Sequence, residues 1–460
     1  MTLNLKLNHR SPSSMSISAQ SRMRVYIAAG LAITLGASAA CDPGSLVKVT
    51  DPDILTIADY NTPAGADPLR IGVIARFTTA FDGGSNSYTT VTATMADEML
   101  ASSTHQTNVR IDQRNMVEEN DIAGGVYSNL QRARASANSA IQILKTTQPQ
   151  PTYNRGELYM LRGYSEMFLG EGWCPGVPFS SEDGVTQTFG MPQTTDQVFA
   201  VAAASFDSAI ALADTNTRIR YGAEIGKARA LQNLGKFTDA AAAVADVPQN
   251  YVLYDYHSAA ATGNGVWSAA STGASSYKIM TNEGTNGLPY LAGHNDPRIK
   301  WKPGTRTAFN SVFTNLDEQL KFGRYDNGIV ANGIEAKLIQ LEARLQGGTQ
   351  ADRDAVYAGL NNLRASGPPA VPLMTTGAPQ TQAAAVDLLY TERAYWLWLT
   401  GHRLADMRRL VRIYKRDAET VYPSGEVPEP FVGTYGNQTA MVIPFEERNN
   451  PNFKGCLPGA

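Results

Sequence analysis

The sequence has little charge and no excess of basic residues. Charged residues make up 18% of its 460 positions, and 39 Lys and Arg against 42 Asp and Glu give a formal net charge of −3. A protein that binds nucleic acid usually presents a basic surface to the phosphates, so this balance excludes nucleic acid as an expected partner. Without a leader, the chain is long enough for one large domain or two medium ones.

The motifs that mark common enzyme classes are also missing. The sequence has no G-x-S-x-G, no H-E-x-x-H, no P-loop and no glycine-rich dinucleotide turn. Glycoside hydrolysis requires two carboxylates about 5–10 Å apart, and the acidic stretches "ADEM" and "VEENDI" are explained by helices and polar loops. His105 lacks the spaced partners of a metal ligand. We therefore expect a protein that is not an enzyme and has neither a cofactor nor a metal site.

The N-terminal segment has the pattern of a secretory signal. Arg22 and Arg24 precede the apolar run "VYIAAGLAITLGASAAC", which ends in small residues at Cys41. The run is too short for a comfortable transmembrane helix. We predict a signal peptide over 1–40 and a lipoprotein in which Cys41 is acylated and becomes the first mature residue. The alternative is ordinary cleavage directed by Ala37-Ser38-Ala39.

Cysteine is scarce, with three in the whole chain. If Cys41 is acylated, Cys174 and Cys456 remain as a pair in an oxidising compartment. They are either bridged or two free, buried thiols, and the sequence leaves both readings open. A bridge would close nearly the whole domain, and the chain-entropy estimate for it is about 5 kcal/mol as an upper limit.

Strand signals are few, and helical periodicity is frequent. The spacing of Ile71, Ile74 and Phe77 predicts a helix over 65–83. A longer helix is predicted over 121–145, with apolar residues along one side. These residues are Val126, Leu130, Ala133, Ala137, Ile141 and Leu144.

Two pairs of helical segments look related to each other. "NRGELYMLRGYSEMFLGEGW" pairs with "DQVFAVAAASFDSAIALAD", and "RIRYGAEIGKARALQNLGK" pairs with "FTDAAAAVADVP". In the second pair, Ala228 and Ala240 face Leu231 and Phe237, with Gly235 at the turn. Small residues facing large ones are typical of tetratricopeptide repeats, which we predict over about 121–248. A generic alanine-rich helical hairpin is the alternative.

The character of the chain changes after this region. Residues from about 250 to 327 are rich in Gly, Ser, Thr and Asn with scattered aromatics, and an irregular stretch of this length is usually a functional loop region. Helical patterns resume over about 331–414, and the tail from Tyr422 is again irregular. The predicted fold class is mainly α with extended loops.

The segment "LLYTERAYWLWLTGHRLADMRRLVRIY" combines aromatic and charged residues. If residues 388–414 form one helix, Glu392, Trp396, Leu399, Arg403, Asp406 and Leu410 share a face. Glu392 and Arg403 would then lie about 16 Å apart, too far to pair, whereas Arg403 and Asp406 could pair. Buried charges require partners, so we predict a structural anchor. A catalytic role would need a nucleophile, metal ligands or a second carboxylate nearby in sequence, and none is present.

The same segment resembles the C-terminal signature of the SusD/RagB family of surface lipoproteins. The matching positions are Glu392, Arg393, Gly401, His402, Arg403, Asp406 and Arg409. Trp396 or a neighbour stands where the family often has an acid, and Thr400 replaces the usual Glu. "NDPRIKW", "VIPFEERNNPNF" and "LRGYSEMFLGEGWCPGVPF" resemble further family stretches in the same order, so the resemblance covers nearly the whole mature chain, 41–460.

The resemblance implies a helical core with tetratricopeptide-like pairs and a loop-rich, ligand-facing side. It implies a non-enzymatic, lipid-anchored protein at the surface of the outer membrane, which captures an oligosaccharide or another nutrient such as a peptide. The repeat side would pack against a SusC-like TonB-dependent transporter that receives the ligand. The alternative is a tetratricopeptide-like scaffold that binds only proteins at the outer membrane.

Ligand residues vary within this family, so none carries over by position. Sugars pack on exposed aromatic rings and bond to neighbouring polar groups, which points to residues in the loops. The candidates are Phe81, Asn86, Tyr88, Asp97, His105, Arg110, Arg114, Trp267, Tyr277, Tyr290 and Trp301. For each ring the alternative is packing in the core or in a loop, and Trp301 is placed to anchor the "NDPRIKW" turn.

Overall fold

Helices dominate the part of the chain that the structure describes. The computed structural model describes residues 61–182, 187–271, 276–291, 296–308, 310–311, 313–429 and 431–459, so the predicted signal peptide and Cys41 lie outside the described residues. The α-helices in these ranges are α1 (Pro63–Asp82), α2 (Tyr88–Met95), α3 (Gln106–Asp112), α4 (Asp121–Thr147), α5 (Thr152–Gly172), α6 (Thr195–Leu212), α7 (Thr217–Asn233), α8 (Phe237–Ala243), α9 (Gly265–Ala270), α10 (Gly333–Leu345), α11 (Gln350–Ser366), α12 (Gln382–Trp396) and α13 (Arg403–Arg412). Short 3-10 helices span Ala418–Thr420 and Phe445–Asn449.

Helix α4 shows how the predicted periodicity becomes structure. The side chain of Asn120 accepts a hydrogen bond from the backbone N–H of Ala123, which caps the first turn. All six apolar residues predicted to share one side of this helix are buried. The helix prediction is therefore confirmed, and burial of this stripe holds α4 against α1 and α5.

Helix α1 is also present, but its buried face differs from the prediction. Val73 and Phe77 are buried, whereas Ile71 is 58% exposed. At 3.6 residues per turn, residues 71 and 77 lie about 120° apart around the helix axis, so they cannot both point to the core. The exposed Ile71 belongs to the surface.

The helices from α4 to α8 pack in sequence, each against the next. Close contact depends on small residues: a Cβ at Gly163 of α5 or at Gly226 of α7 would collide with the Phe206 ring of α6. Ala228 and Ala240 are fully buried where α7 meets α8. The prediction of tetratricopeptide-like helix pairs with small residues at the contacts is confirmed.

The described strands are short and form five antiparallel two-stranded sheets. They are β1 (Met99–Ala101) with β7 (Tyr277–Ile279), β2 (Val177–Pro178) with β5 (Pro192–Gln193), β3 (Ser181–Glu182) with β4 (Gln187–Thr188), β6 (Val252–Asp255) with β10 (Gly328–Asn332), and β8 (Trp301–Lys302) with β9 (Glu318–Gln319). In the first pair Met99 faces Ile279, and in the last Trp301 faces Gln319. Among the described residues between 250 and 327, regular structure is limited to α9 and four of these strands.

The prediction of one helix over 388–414 is wrong. Helix α12 ends at Trp396 and α13 begins at Arg403. Between them Leu399 has a φ of 55° and Gly401 a φ of 73°, a left-handed conformation that terminates helices and that glycine adopts most readily. A Cβ at Gly401 would lie 3.1 Å from Cε1 of Tyr88. The close packing of the turn against Tyr88 therefore also favours a residue without a side chain at position 401.

Two further features complete the architecture. Cys174 and Cys456 form a disulfide with a Cα–Cα distance of 5.5 Å, which ties the end of the α5 region to the C-terminal tail. Of the two readings that the sequence leaves open, the bridged one is present. In the described ranges, no helix combines the length and the apolar character that crossing a membrane requires.

Candidate functional site

The charged side chains of the signature are buried and form ion pairs. Arg393 donates to Asp406 through Nε and Nη2, at 2.8 and 2.9 Å, and thereby bridges the break between α12 and α13. Arg409 donates to Asp406 at 2.9 Å and to Glu342 of α10 at 3.0 Å. Burial opposes ionisation of Asp406, but Arg393 and Arg409 outweigh it and hold the pKa of this carboxyl well below its usual range. The network joins three helices.

Glu392 and Arg403 each find a partner elsewhere, as predicted. Arg298, in the predicted "NDPRIKW" turn, donates to Glu392 at 2.8 Å, and Arg364 of α11 also bonds it. The predicted pairing of Arg403 with Asp406 is wrong, because the helix starts at Arg403 and its guanidinium turns instead to Asp97. These contacts fix loops to the helical core, which supports a structural role.

His402 and the surroundings of Arg403 agree with that role. His402 Nε2 lies 3.2 Å from a Glu335 carboxylate oxygen, and burial together with the nearby Arg229 lowers the pKa of the imidazole. Arg403 borders a cavity of about 310 Å³, yet its side chain is 7% exposed and both of its donors to Asp97 are engaged. These buried, paired positions support the structural role of the signature side chains.

Six of the eleven predicted ligand residues lie in the interior. Phe81, Tyr88, Asp97, Arg114, Tyr277 and Tyr290 are each 1% exposed or less. Tyr88 stacks on Phe168 with ring centroids 4.3 Å apart, and Arg114 donates to the carbonyl of Pro423 at 2.7 Å. Phe81 and Tyr88 lie in helices and Tyr277 in a strand, and all six side chains are packed in the interior. We remove all six from the candidate ligand set as a correction.

The other five predicted residues reach the surface but do not form one group. Asn86 and His105 are exposed, and Arg110, Trp267 and Trp301 are partly exposed. The guanidinium of Arg324 lies 5.5 Å from the Trp267 ring. Of the five, Trp301 lines a described cavity, which makes it the strongest of the original candidates.

Two neighbouring cavities on the loop-rich side form what we call the loop cleft. The first has a volume of about 640 Å³ and is lined by Phe313, Glu426, Val427, Glu429, Phe431 and Thr434, among others. The second has a volume of about 330 Å³ and is lined by Lys278, Ile279, Met280, Thr281, Trp301 and Asp317, among others. The ammonium of Lys278 lies 4.7 Å from the centroid of the Phe313 ring and so connects them. Volumes of this size suit small ligands.

Short antiparallel pairs position the walls of the loop cleft. Strand β7 carries Lys278 and pairs with β1, while β8 begins at Trp301 and pairs with β9. Glu426 pairs with Thr434, and the N–H of Val427 donates to the carbonyl of Gly433 at 3.0 Å, which closes a narrow loop. The aromatic rings and carboxylates therefore sit on segments fixed by backbone hydrogen bonds.

The charges of the cleft are unevenly distributed. Burial lowers the pKa of Lys278 and raises that of Asp317, whose charges partly compensate each other. Glu426 and Glu429 are exposed, and the described residues provide neither with an ion-pair partner. The site can offer ring faces to C–H groups, carboxylates as acceptors and one ammonium as a donor.

A pair of buried carboxyls lies beneath the cleft. Tyr435, next to Thr434, donates to Glu283 at 3.1 Å, and Glu283 lies near the buried Asp112 of α3. Burial raises the pKa of both carboxyls well above the usual range, and the neighbouring Asp112 raises that of Glu283 further. Two like charges in contact in the interior repel each other, which favours protonation of one of the two carboxyls. The Tyr435–Glu283 hydrogen bond anchors the loop that carries Thr434.

Sequence reasoning missed most of the cleft. Lys278, Phe313, Asp317, Glu426 and Phe431 were absent from the candidates, because they lie on segments far apart in sequence. The available signal was "PSGEVPEPFVGTYGN", where an aromatic stands among Gly, Pro and Glu in the tail predicted to be irregular. Within the described residues, no group of three or more His, Cys, Asp or Glu side chains is placed to hold a metal ion.

The fold of this chain is similar to that of solved SusD superfamily proteins. A SusD superfamily protein from Bacteroides thetaiotaomicron matches with a TM-score of 0.65 and 16% identity, over 86% of this chain and 100% of that one. A SusD-like carbohydrate-binding protein from Bacteroides fragilis matches at 0.63 and 13%, over 86% and 99%. B. fragilis NanU matches at 0.62 and 13%, over 88% and 99%.

At these identities the likeness establishes the fold of this chain. The resemblance of its sequence to SusD/RagB is confirmed at that level. Comparison with protein-family models and with curated protein sequences finds no match.

Proposed function

We propose that this protein captures an oligosaccharide in the loop cleft and delivers it, without chemical change, to a SusC-like TonB-dependent transporter. The observation that carries the proposal is the combination of partly exposed rings with carboxylates in two joined cavities. Sugar C–H faces pack on aromatic rings, and hydroxyls donate to carboxylates. The fold shared with a SusD-like carbohydrate-binding protein supports the same ligand class.

The loop cleft is favoured over another cavity of about 400 Å³ between α4 and the C-terminal tail. Three of the polar side chains that line that cavity are already engaged. Arg134 bonds the carbonyl of Ser180, Gln131 donates to the carbonyl of Pro178 at 2.9 Å, and Asn450 donates to the carbonyl of Gly190 at 2.9 Å. In the loop cleft, Glu426 and Glu429 remain available to a ligand.

Calorimetric titration with a panel of oligosaccharides tests the capture role. We expect at least one sugar to bind, and Phe313→Ala or Phe431→Ala to weaken its binding about five- to ten-fold, since a stacked ring contributes about 1–1.4 kcal/mol. Phe189→Ala is the matched control, because Phe189 is an exposed ring on the other cavity. No heat with any sugar, or equal losses in all three variants, would overturn the proposal.

We also propose that the protein is held at the cell surface of the outer membrane by acylation of Cys41. Mass spectrometry of the N-terminus tests this. A mature chain that begins at an acylated Cys41 is the expected result, and an unmodified Cys41 or a chain beginning at Ala40 contradicts it.

The second candidate function, a scaffold that binds only proteins, has its own supporting observation. Ile71 and Tyr256 are each 58% exposed, and Tyr254, itself 41% exposed, lies beside Tyr256 with ring centroids 6.3 Å apart. Neighbouring exposed apolar side chains can mark a protein-binding surface. A scaffold would co-purify with an outer-membrane barrel but give no heat with any sugar. The glycan-capture role predicts both co-purification and heat.

A further inference from the structure

The loop cleft carries more negative than positive charge. The first cavity has Glu426 and Glu429 on its walls and no basic side chain among its lining residues. In the second cavity, the ammonium of Lys278 is offset by Asp317. Counting these four side chains gives three carboxylates against one ammonium, and the two unpaired carboxylates are those of the first cavity.

The aromatic rings beside those carboxylates already accept a positive charge. Lys278 lies with its ammonium 4.7 Å from the Phe313 centroid, and Phe431 packs edge-on against Phe313 at 5.8 Å. A ring face attracts an ammonium through its quadrupole, and a neighbouring carboxylate adds a charge-assisted hydrogen bond. Rings and carboxylates together form a receptor for a protonated amine.

We propose, on the basis of the proposed glycan-capture role, that the cleft selects oligosaccharides bearing free amino groups over neutral and anionic ones. The ammonium of such a sugar lies between Glu426, Glu429 and the ring of Phe431, all of which line the first cavity. An anionic sugar meets the same two carboxylates and is repelled. Lys278 stays over Phe313 and bonds a ring hydroxyl from the neighbouring cavity.

The expected selectivity is moderate because both carboxylates are exposed. Solvent and salt weaken exposed charge pairs, so each contact is expected to contribute about two- to five-fold in affinity. Together they predict about a ten-fold preference for an amine-bearing sugar over its neutral counterpart at low salt. The preference should shrink as the salt concentration rises, whereas the stacking contribution should not.

A matched pair of ligands tests the inference by calorimetry. A glucosamine oligomer and the N-acetylated oligomer of equal length share a backbone and differ in charge. The titrations are run at about pH 5.5, where the amino groups of the glucosamine oligomer are protonated. The wild-type protein should bind the amine-bearing oligomer about ten-fold more tightly than the neutral one. In Glu426→Gln/Glu429→Gln the ratio of the two affinities should fall to about one. Glu119→Gln, at an exposed carboxylate outside the cleft, is the control.

Several outcomes would overturn the preference for amine-bearing sugars and leave the proposed capture of oligosaccharides intact. Equal or tighter binding of the neutral oligomer would do so, and so would a preference that persists in the double variant. If neither oligomer binds but another sugar of the panel does, the amine selectivity is wrong and capture stands. Heat from a lysine-rich peptide alone, lost in the double variant, would assign the cleft to basic peptides and overturn both proposals.

Discussion

Arg403 and Asp97 form a buried bidentate ion pair between residues 306 positions apart in sequence. The two bonds, Nε to Oδ1 and Nη2 to Oδ2, measure 2.7 and 2.8 Å. Asp97 also accepts from the N–H of Leu288 at 3.0 Å. One carboxylate thus holds the start of α13, the segment before β1 and a loop of the 250–327 region together.

Replacing Arg403 by Met should lower the free energy of unfolding by about 3–5 kcal/mol, because Asp97 would remain buried without its partner. Chemical denaturation measures this. Arg416→Met is the control, since the Arg416–Asp387 pair is partly exposed and exposed pairs contribute about 0–1 kcal/mol. Similar losses in the two variants would mean that the buried pair is not a structural anchor.

Loss of the Cys174–Cys456 disulfide should lower stability by up to about 5 kcal/mol, because the bridge spans 282 positions and restricts the unfolded chain. Cys174→Ser and Cys456→Ser should give equal losses, and the double variant no more than either. Thermal unfolding with and without reductant checks this. A wild-type protein insensitive to reductant would contradict the bridge.

Glu98 should make stability decrease as pH rises. Burial raises its pKa from 4.5 to about 8, although the N–H of Leu399 donates to its carboxyl and opposes that rise. The folded state therefore binds a proton that the unfolded state has released over this range. The contribution of protonated Glu98 to the free energy of unfolding is fully present below about pH 4.5. Between about pH 4.5 and pH 8 the free energy of unfolding falls by about 1.4 kcal/mol per pH unit.

Glu98→Gln removes this titration and keeps an acceptor for Leu399. The difference in unfolding free energy between the variant and wild type should shift in favour of the variant as pH rises from 5 to 8. The neighbouring charges of Asp97, Arg403 and Lys321 are present in both proteins. The prediction is wrong if the free energies of unfolding of the two proteins change in parallel with pH.

Gly401→Ala should destabilise the turn between α12 and α13 for two reasons. A φ of 73° costs a residue with a Cβ about 1 kcal/mol or more, and the new Cβ would lie 3.1 Å from Tyr88. Gly377→Ala is the control, because it shares the positive φ, at 78°, but has nothing within 4 Å of the new Cβ. Denaturation should show a larger loss in the free energy of unfolding for Gly401→Ala than for Gly377→Ala. Equal losses would mean that the contact with Tyr88 does not contribute.

Much of the helical architecture could be predicted from the sequence. The α4 stripe and the small residues between α7 and α8 follow from local periodicity, which requires no knowledge of distant segments. Because burying an unpaired charge is unfavourable, the sequence also predicted that Glu392 and Arg403 have partners elsewhere in the chain. Their partners could not be named, because Asp97 and Arg298 are brought near only by the tertiary fold.

The candidate site was largely beyond prediction for the same reason. Phe313 and Phe431 are 118 positions apart, and their contact depends on how two irregular segments cross. Tyr88 and Tyr290, by contrast, lie in segments with loop-like composition but are buried against the helices. An aromatic residue in a loop can serve either purpose, and sequence pattern does not distinguish them.

The central claim is that the loop cleft is where a sugar binds. A crystal structure of the protein with the oligosaccharide that gives the largest calorimetric heat tests it most directly. The account predicts a sugar ring packed on Phe313, Phe431 or Trp301, with a polar group within hydrogen-bonding distance of Glu426 or Glu429. A sugar bound elsewhere, such as the cavity beside Phe189, with the loop cleft empty, would contradict it.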